Sequence, residues 1–252
     1  MENVTFIGSR GVELAGILDL PDGEVKTYAI IAHCFTCNKS YPAVARVAKA
    51  LTDQGIGVFR FDFAGLGQSA GNFTESTFSA DVDDLVAASE WMQSQGRTVE
   101  LLIGHSLGGA AVLAATERIP TVKAVTTIAA PSDPGFVAKQ LADQVKNIGE
   151  QGVVETIVAG HTVLIGAPLI DDLQSQSSHI QRIQNLPAPL LIMHSPADTV
   201  VDVRHANVIY RHAPMPKSFV ALDGADHLLT HPATGRWVAR IIAAWASAYV
   251  GA

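Results

Sequence analysis

The pentapeptide GHSLG at residues 104–108 matches the pattern GxSxG, with Ser106 at its centre. So short a pattern of common residues is weak by itself. Its context strengthens it, because an almost continuously apolar run precedes it at residues 99–103 and a helix-like run follows at residues 109–118. A serine between a strand and a helix is typical of a nucleophile held on a tight turn. We therefore expect Ser106 to be a nucleophile; the alternative is a glycine-rich turn whose serine only caps the helix.

A serine hydroxyl needs a base to attack near neutral pH, and histidine is the side chain suited to that range. Among the nine histidines, His227 follows the strand-like residues 219–222 and precedes a helix from about Pro232, which places it on a loop after a strand. Its position downstream of Ser106 fits the chain order serine, acid, histidine. His231 is the alternative base, but the proline beside it is typical of a helix entry. Three others adjoin strand ends and are interpreted as hydrogen-bonded core residues: His33, His105 and His194.

The expected acid is Asp198, which would hold the imidazole in the correct tautomer and stabilise its protonated form. It lies in the turn after the apolar run at residues 190–194. Asp202 is the alternative, although it is better placed to cap the helix that begins near Val203. Two further carboxylates are too near His227 in the chain to reach its far nitrogen: Asp223 and Asp226.

Acyl chemistry also needs hydrogen-bond donors for the developing oxyanion. The backbone N–H of Leu107, at the start of the helix after Ser106, is one candidate, because the helix dipole favours negative charge there. The N–H of Phe35, on the loop after the apolar run at residues 28–32, is the other.

The chain's two cysteines, Cys34 and Cys37, lie on that same loop in a CxxC pattern. Two cysteines are far from the disulfide framework of a small secreted domain. A redox-active pair of the thioredoxin type would need a low-pKa thiol at a helix N-terminus. We therefore expect a structural role, with Cys34 a small buried residue beside Phe35. A redox role is the alternative, in which oxidation of the pair would perturb activity.

Five short apolar runs indicate strands buried on both faces, as in a parallel sheet. They are residues 28–32, 56–61, 99–103, 122–130 and 190–194. Stretches with helical spacing lie between them, and such alternation is typical of an α/β fold. Ahead of them, residues 4–7 and 12–20 are interpreted as an antiparallel hairpin. The sequence therefore predicts a mostly parallel sheet with helices on both faces.

The alternation stops after residue 130 and resumes at residue 188. Residues 131–187 instead hold a helical stretch at 136–148 and an apolar hairpin around 159–160. So short a segment with few large side chains would struggle to fold alone. We expect an inserted cap (lid) on a core of residues 1–130 and 188–252. The expected substrate pocket draws on the cap and on the loops near the nucleophile: Phe35, His105, Phe136, Leu141, Leu164 and Leu169.

The chain has 252 residues, of which 48% are hydrophobic and 16% charged, so it can bury a sizeable core and is not a disordered chain. Its net charge of -7 disfavours nucleic acid and anionic membrane surfaces as partners. No basic segment followed by an apolar stretch opens the sequence, and no run is long enough to cross a membrane. We therefore expect a cytoplasmic protein, and the sequence indicates no metal site and no cofactor.

The segments HCF, DFAGLGQS, GHSLGG, HSPADTVV and GADHLL together resemble the α/β-hydrolase superfamily over essentially the whole chain. The resemblance implies an eight-stranded sheet and the triad and oxyanion hole assigned above. The common oxyanion motif is His-Gly-Phe or similar, and here Cys34 replaces the glycine, which leaves the main-chain donors in place. More narrowly, HCFTC, FDFAGLGQSAGNF and GADHLL resemble the hydrolase half of bacterial proteins that fuse an α/β-hydrolase to an OsmC-like peroxide-reducing domain. Whether such a C-terminal domain belongs to a longer form of this chain is left open, and its peroxidase role is not carried over.

These residues predict a serine hydrolase that cleaves small carboxylic esters through an acyl-enzyme, as a carboxylesterase does. A thioesterase or a small amide or peptide hydrolase is the alternative, because the same triad serves all of them. A non-catalytic ligand-binding protein on the same fold is an alternative of another class, and the complete triad disfavours it. Perhydrolysis without a cofactor is a further alternative. A homodimer is also open, because apolar residues of the last helix would either pack inward or form a dimer face: Trp237, Ile241, Ile242 and Trp245.

Overall fold

The apolar runs of the sequence form strands, and the stretches between them form helices. The computed structural model describes residues 1–145, 152–158 and 161–251. Its strands are β1 (Glu2–Ile7), β2 (Glu13–Asp19), β3 (Thr27–Ala32), β4 (Ile56–Phe61), β5 (Val99–His105), β6 (Ala124–Ile128), β7 (Val153–Val158), β8 (His161–Gly166), β9 (Leu190–His194) and β10 (Lys217–Ala221). Its α-helices are α1 (Pro42–Thr52), α2 (Phe78–Ser94), α3 (Leu107–Ala115), α4 (Gly135–Val145), α5 (Ala167–Ser175), α6 (His179–Gln184), α7 (Arg204–His212) and α8 (Pro232–Ala246).

Local signals of the sequence set the ends of these helices. Proline occupies the first turn of α1 and of α8, where its missing N–H costs nothing. The hydroxyl of Thr77 accepts the N–H of Ala80 and caps the start of α2. Gly96 adopts the left-handed φ of 72° that ends α2. These signals account for the starts of α1, α2 and α8 and for the end of α2.

Eight of the strands form one sheet, in the order β1-β2-β4-β3-β5-β6-β9-β10. Strands β1 and β2 form an antiparallel hairpin, and β2 is antiparallel to β4. All the other neighbours in this sheet are parallel. The mostly parallel eight-stranded sheet and the N-terminal hairpin that the sequence predicts are therefore confirmed. Every residue of β4 and of β9 is buried, as expected for strands covered on both faces.

Helices cover both faces of this sheet. On one face, α1 and α8 share a hydrophobic core with β3, β4, β5 and β9. On the other face, α2 and α3 share a second core with the sheet. In α8, Ile242 is fully buried and Trp245 packs against the first core, whereas Trp237 is exposed. Most of the apolar face of α8 therefore packs inward, and a homodimer stays a prediction.

Residues 131–187 connect β6 to β9 and, in their described part, contribute no strand to the eight-stranded sheet. They form α4, the antiparallel hairpin β7–β8, α5 and α6. The expected helix at 136–148 is observed as Gly135–Val145; residues 146–148 and the expected hairpin turn at 159–160 lie outside the described residues.

The inserted segment shares a core with the body of the protein. Leu141, Leu169 and Ile183 are buried in the same cluster as α2, α3 and the sheet. This packing agrees with the argument that the segment would not fold alone, and its division from the core as a cap stays a prediction. No helix within the described ranges is long and apolar enough to span a membrane.

Candidate active site

The residues expected to do chemistry follow four strands of the sheet at their carboxyl ends. Phe35 comes after β3, Ser106 directly after β5, Asp198 after β9 and His227 after β10. These strands are all parallel, so their carboxyl ends meet at one edge of the sheet, where α/β folds place their ligand sites.

Ser106 lies on a strained turn between β5 and α3. Its backbone has φ 54° and ψ -123°, a conformation that costs energy for any residue with a side chain. The N–H of Ser106 donates to the carbonyl of Ile128 at 2.8 Å, which ties the turn to β6. A Cβ on Gly104 would lie 2.3 Å from the carbonyl oxygen of Gly108, and one on Gly108 would lie 2.4 Å from that of His33. Both glycines of GxSxG are therefore required by close backbone approach.

The structure brings the three predicted triad residues into one hydrogen-bonded chain. His227 Nε2 lies 3.0 Å from Ser106 Oγ, and His227 Nδ1 lies 2.8 Å from Asp198 Oδ2. All three residues are buried, with exposed fractions of 7 to 8%. In the tautomer that satisfies both contacts, Nδ1–H donates to the carboxylate and Nε2 accepts from the hydroxyl. This is the arrangement that a general base requires before it takes a proton from serine.

The carboxylate of Asp198 is held from its other side by the backbone. Its Oδ1 accepts the N–H of Val200 at 2.9 Å and the N–H of Val201 at 3.0 Å. Burial alone would raise the pKa of Asp198, but the hydrogen bond from His227 and these two N–H groups outweigh it and lower the pKa below its usual value. Asp198 is therefore an anion whose orientation is fixed.

Two further histidines contact the backbone of the loops that carry His227 and Asp198. His105 Nε2 lies 2.7 Å from the carbonyl of His227, and His194 Nε2 lies 2.7 Å from the carbonyl of Val201. Burial, together with the adjacent ring of His227, lowers the pKa of His105 to about 3. Burial also lowers the pKa of His194. Both rings are therefore uncharged N–H donors that position the loops carrying His227 and Asp198.

The alternative acid and base candidates make their hydrogen bonds outside the Ser106–His227–Asp198 network. Asp202 accepts the N–H of Arg204 at the start of α7, and Asp226 accepts both the N–H and the hydroxyl of Thr230. The side chain of His231 caps α8. Asp202 and His231 therefore lie at helix starts, as their sequence context indicates, whereas the contact of Asp226 with Thr230 had no counterpart in the sequence.

The expected oxyanion donors are the backbone N–H groups of Phe35, on the loop after β3, and of Leu107, the residue after Ser106. The N–H of Leu107 is at the first position of α3, and the backbone of Gly108 touches the loop that carries Phe35. Within the part of the chain that the structure describes, neither N–H has a hydrogen-bond acceptor. The N-terminus of α3 attracts negative charge to the N–H of Leu107. The N–H of Phe35 is a loop donor without this helix contribution.

The Phe35 loop carries a disulfide that the sequence analysis did not predict. Cys34 and Cys37 are bonded, with their Cα atoms 5.3 Å apart, inside the usual range for such bonds. Cys34 is buried, as expected, and the N–H of Cys37 donates to the carbonyl of Cys34 at 3.0 Å. The sequence could not reveal the bond, because a CxxC pattern is equally compatible with free thiols.

A small cavity of about 10 Å³ opens beside these donors, close to the minimum for one water molecule. Phe35, an expected pocket residue, lines it. Apolar side chains that were not expected in the pocket also line it: Phe63, Leu66, Phe73, Leu107 and Ala111. Asp81 of α2 also lines it, and burial, with the neighbouring carboxylate of Asp84, raises the pKa of Asp81 well above its usual value. The helical periodicity of α2 gave no sign that this carboxylate faces the cavity.

The other expected pocket residues do not line this cavity. Leu141 and Leu169 are buried in the core that joins the inserted segment to the body, and Leu164 is 51% exposed. The ring of Phe136 packs edge-on against His205 at 4.4 Å. His105 lies behind the base. An apolar pattern cannot tell a pocket wall from a packing contact, and here most of these side chains serve packing.

Among the described residues, no group of three or more metal-binding side chains is placed to hold an ion. The candidate site is made of the side chains of Ser106, His227 and Asp198 and the backbone N–H groups of Phe35 and Leu107.

Comparison with known proteins places these residues in context. The sequence profile of the family described as serine aminopeptidase, S33, matches residues 24–162, more than half of the chain, including Ser106 but not Asp198 or His227. The esterase domain of a Rhodothermus marinus protein is 39% identical, with a TM-score of 0.79 and 98% of each chain covered. Est1E of Butyrivibrio proteoclasticus, solved with ferulic acid bound, is 19% identical, with a TM-score of 0.84 and 97% and 98% of the two chains covered. The YfhR protein of Salmonella typhimurium is 25% identical over 90% of this chain and 74% of its own length.

Proposed function

Because the chain belongs to the serine aminopeptidase S33 family of α/β-hydrolases, we propose that it is a serine hydrolase that cleaves small carboxylic esters through an acyl-enzyme. The observation that carries this proposal is the hydrogen-bonded chain from Ser106 through His227 to Asp198. A second support is the esterase domain of Rhodothermus marinus, which resembles this chain over almost its full length. The family match supports a hydrolase of the α/β-hydrolase fold, and the specificity for esters is the further step that we propose.

In the proposed mechanism, His227 takes the proton of Ser106 as its oxygen attacks the carbonyl carbon of the ester. The tetrahedral oxyanion accepts the N–H groups of Phe35 and Leu107. His227 then gives its proton to the departing alcohol, which leaves an acyl group on the serine. Water repeats the two steps, with His227 as base and then acid, and frees the carboxylic acid. Asp198 keeps the imidazole in the required tautomer throughout.

The lining of the cavity favours an uncharged substrate. Most of its side chains are apolar, and Asp81 is the one carboxylate among the lining side chains that the structure describes. A phosphorylated or carboxylated substrate would meet no cation there. The apolar walls are compatible with a neutral acyl group, because no charged group of the substrate has to lose its solvation there. The cavity of about 10 Å³ must widen to admit such a group.

We propose that residues 131–187 act as a cap through the 3₁₀ turn Phe73–Glu75. A Cβ on Gly166, at the end of β8, would lie 1.8 Å from the carbonyl oxygen of Thr74. Phe73, in the same turn, lines the cavity and contacts the ring of Phe35 at 6.0 Å between centroids. Movement of the inserted segment would shift the turn that contains Thr74 and Phe73. The shape of the cavity would then change without requiring a direct contact between the segment and Ser106.

Amide hydrolysis is the second candidate, because the matching family is described as serine aminopeptidase. The triad supports both reactions, and the leaving group decides between them. Hydrolysis of amino-acid anilides with a kcat/KM above that for short esters would favour this candidate.

The test is a substrate panel on the wild type and on Ser106→Ala. The panel holds p-nitrophenyl esters of increasing acyl length, a ferulate ester, acyl-thioesters and amino-acid anilides. Loss of the nucleophile should lower kcat on short esters by several orders of magnitude. Ser94→Ala, at the exposed end of α2, is the matched control and should keep wild-type activity. Substantial esterase activity in Ser106→Ala would refute the proposal.

A further inference from the structure

The disulfide encloses one of the two candidate oxyanion donors. Phe35 and Thr36 are the two residues between Cys34 and Cys37, so the bond closes a short ring around the Phe35 N–H. Thr36 has φ 59°, in the left-handed region that residues with a side chain seldom adopt. The bond therefore restrains a tight backbone turn at the place where the oxyanion would bind.

We propose that this disulfide is a reversible redox-modification site, and that its reduction by a dithiol lowers hydrolase activity by releasing the Phe35 N–H. The proposal rests on the proposed function, because it takes the Phe35 N–H as an oxyanion donor. The cysteine pair acts through Phe35 and touches no reacting atom, so its role is positioning.

The two cysteine residues differ in exposure, which indicates how the bond opens. Cys34 is 4% exposed, whereas Cys37 is only half-buried. A thiolate of the dithiol attacks Cys37 Sγ, the sulfur–sulfur bond breaks, and Cys34 leaves as the thiolate. The second thiol of the reductant then displaces Cys37 and forms its own disulfide. The protein gains two electrons and two protons, and the dithiol loses the same.

Other contacts hold both ends of the loop after the bond opens. Upstream, His33 Nδ1 lies 2.9 Å from the carbonyl of Cys34. Downstream, both the N–H and the Nζ of Lys39 donate to the buried carboxylate of Asp62, at 2.6 and 2.5 Å. These anchors do not depend on the disulfide. Reduction should therefore loosen Phe35 and Thr36 while the surrounding fold stays intact.

The expected kinetic effect follows from the role of an oxyanion donor. Its contact is made with the transition state, so kcat should fall while KM changes little. We expect a decrease of about 5-fold to 100-fold, because complete removal of one such donor costs about 100-fold to 1,000-fold and reduction only loosens it. The chain has only two cysteines, so every effect of a dithiol on the polypeptide is traced to this pair.

The experiment measures kcat and KM for a short p-nitrophenyl ester on protein that is oxidised, reduced with dithiothreitol, and reoxidised after its removal. Thiol titration should give no free thiol in the oxidised state and two in the reduced state. The expected result is a lower kcat on reduction that returns on reoxidation, with unchanged far-ultraviolet circular dichroism. The Cys34→Ala/Cys37→Ala variant should show the low kcat of the reduced protein and no response to dithiothreitol.

Three results would overturn the inference. The first is an unchanged kcat in protein with two titrated thiols. The second is full activity in the double alanine variant, which would show that the bond positions nothing. The third is a loss of kcat that follows a loss of circular dichroism, which would mean general unfolding. If the oxidised protein has no hydrolase activity at all, the proposed function has failed instead, so the two failures are distinguishable.

Discussion

Replacement of Asp198 by asparagine should prevent His227 from acting as a base, because it changes which ring nitrogen of the imidazole carries the proton. In the structure, Oδ1 of Asp198 accepts two backbone N–H groups, from Val200 and Val201. An asparagine must place its oxygen there, because its NH₂ group would face two donors. The NH₂ group is then turned toward His227 Nδ1, which must accept a hydrogen bond. The imidazole proton moves to Nε2 and faces Ser106, so the ring cannot take the serine proton.

The magnitude follows from the loss of the base alone, since the shape of the site is kept. A wrong tautomer in a Ser-His-Asp triad costs about 10⁴ in kcat, which corresponds to about 5.4 kcal/mol of barrier. The assay is steady-state hydrolysis of a short p-nitrophenyl ester, with nitrogen NMR of His227 to observe which ring nitrogen carries the proton. Asp202→Asn is the matched control, because Asp202 lies on the same loop but contacts Arg204 instead. It should change kcat by less than about twofold.

Retention of more than a tenth of the activity in Asp198→Asn would refute this reasoning. So would a normal tautomer in a variant of low activity, because the loss would then have another cause. A stable fold should be confirmed by the thermal midpoint of unfolding, since Asp198 also holds a backbone turn.

Three further outcomes follow from the structure. Burial lowers the pKa of His179 to about 4, and both ring nitrogens lack a hydrogen bond in the described chain. Folding favours the neutral form of His179, so the free energy of unfolding decreases as pH falls below about 6.5. His179→Phe keeps the edge contact with Phe78 and should remove about 2 kcal/mol of the decrease between pH 7 and pH 5. Urea titration at the two pH values measures this difference. The raised pKa of Asp81 has the opposite effect on the pH dependence of stability, because its charged form opposes folding. Asp81→Asn should therefore raise the Tm at pH 8, and this gain should vanish as pH falls toward the ordinary carboxyl pKa of 3.8. Gly108→Ala should lower kcat by at least about 10-fold in the ester assay, because its methyl group would push the His33 carbonyl and the oxyanion loop away; an unchanged kcat would mean that this close approach is not needed for activity.

Much of the fold could be predicted from local pattern. The apolar runs that form β4 and β9 are buried on both faces, and short runs of this kind are typical of strands in a parallel sheet. The nucleophile turn was predictable too, because Gly104 and Gly108 are the residues that close backbone contact demands. Asp198 and His227 follow strands in the sequence, and the structure brings both into hydrogen-bonded contact with each other and with Ser106.

The remainder depended on contacts between distant parts of the chain. Whether Leu164 faces solvent and Leu169 the core is decided by how the inserted segment packs, which no local pattern encodes. The bond between Cys34 and Cys37 depends on loop geometry, and the approach of Asp81 to the cavity depends on how α2 is oriented on the sheet. The support that His105 gives to His227 joins residues far apart in sequence.

The most direct test of the central claim is covalent labelling of the nucleophile. The protein is treated with a fluorophosphonate, and the modified peptide is identified by mass spectrometry, for the wild type, Ser106→Ala and His227→Ala. We predict one adduct per chain on Ser106 in the wild type, none in Ser106→Ala, and labelling slowed at least about 100-fold in His227→Ala. Labelling at another residue, or equal rates in the wild type and His227→Ala, would contradict the account.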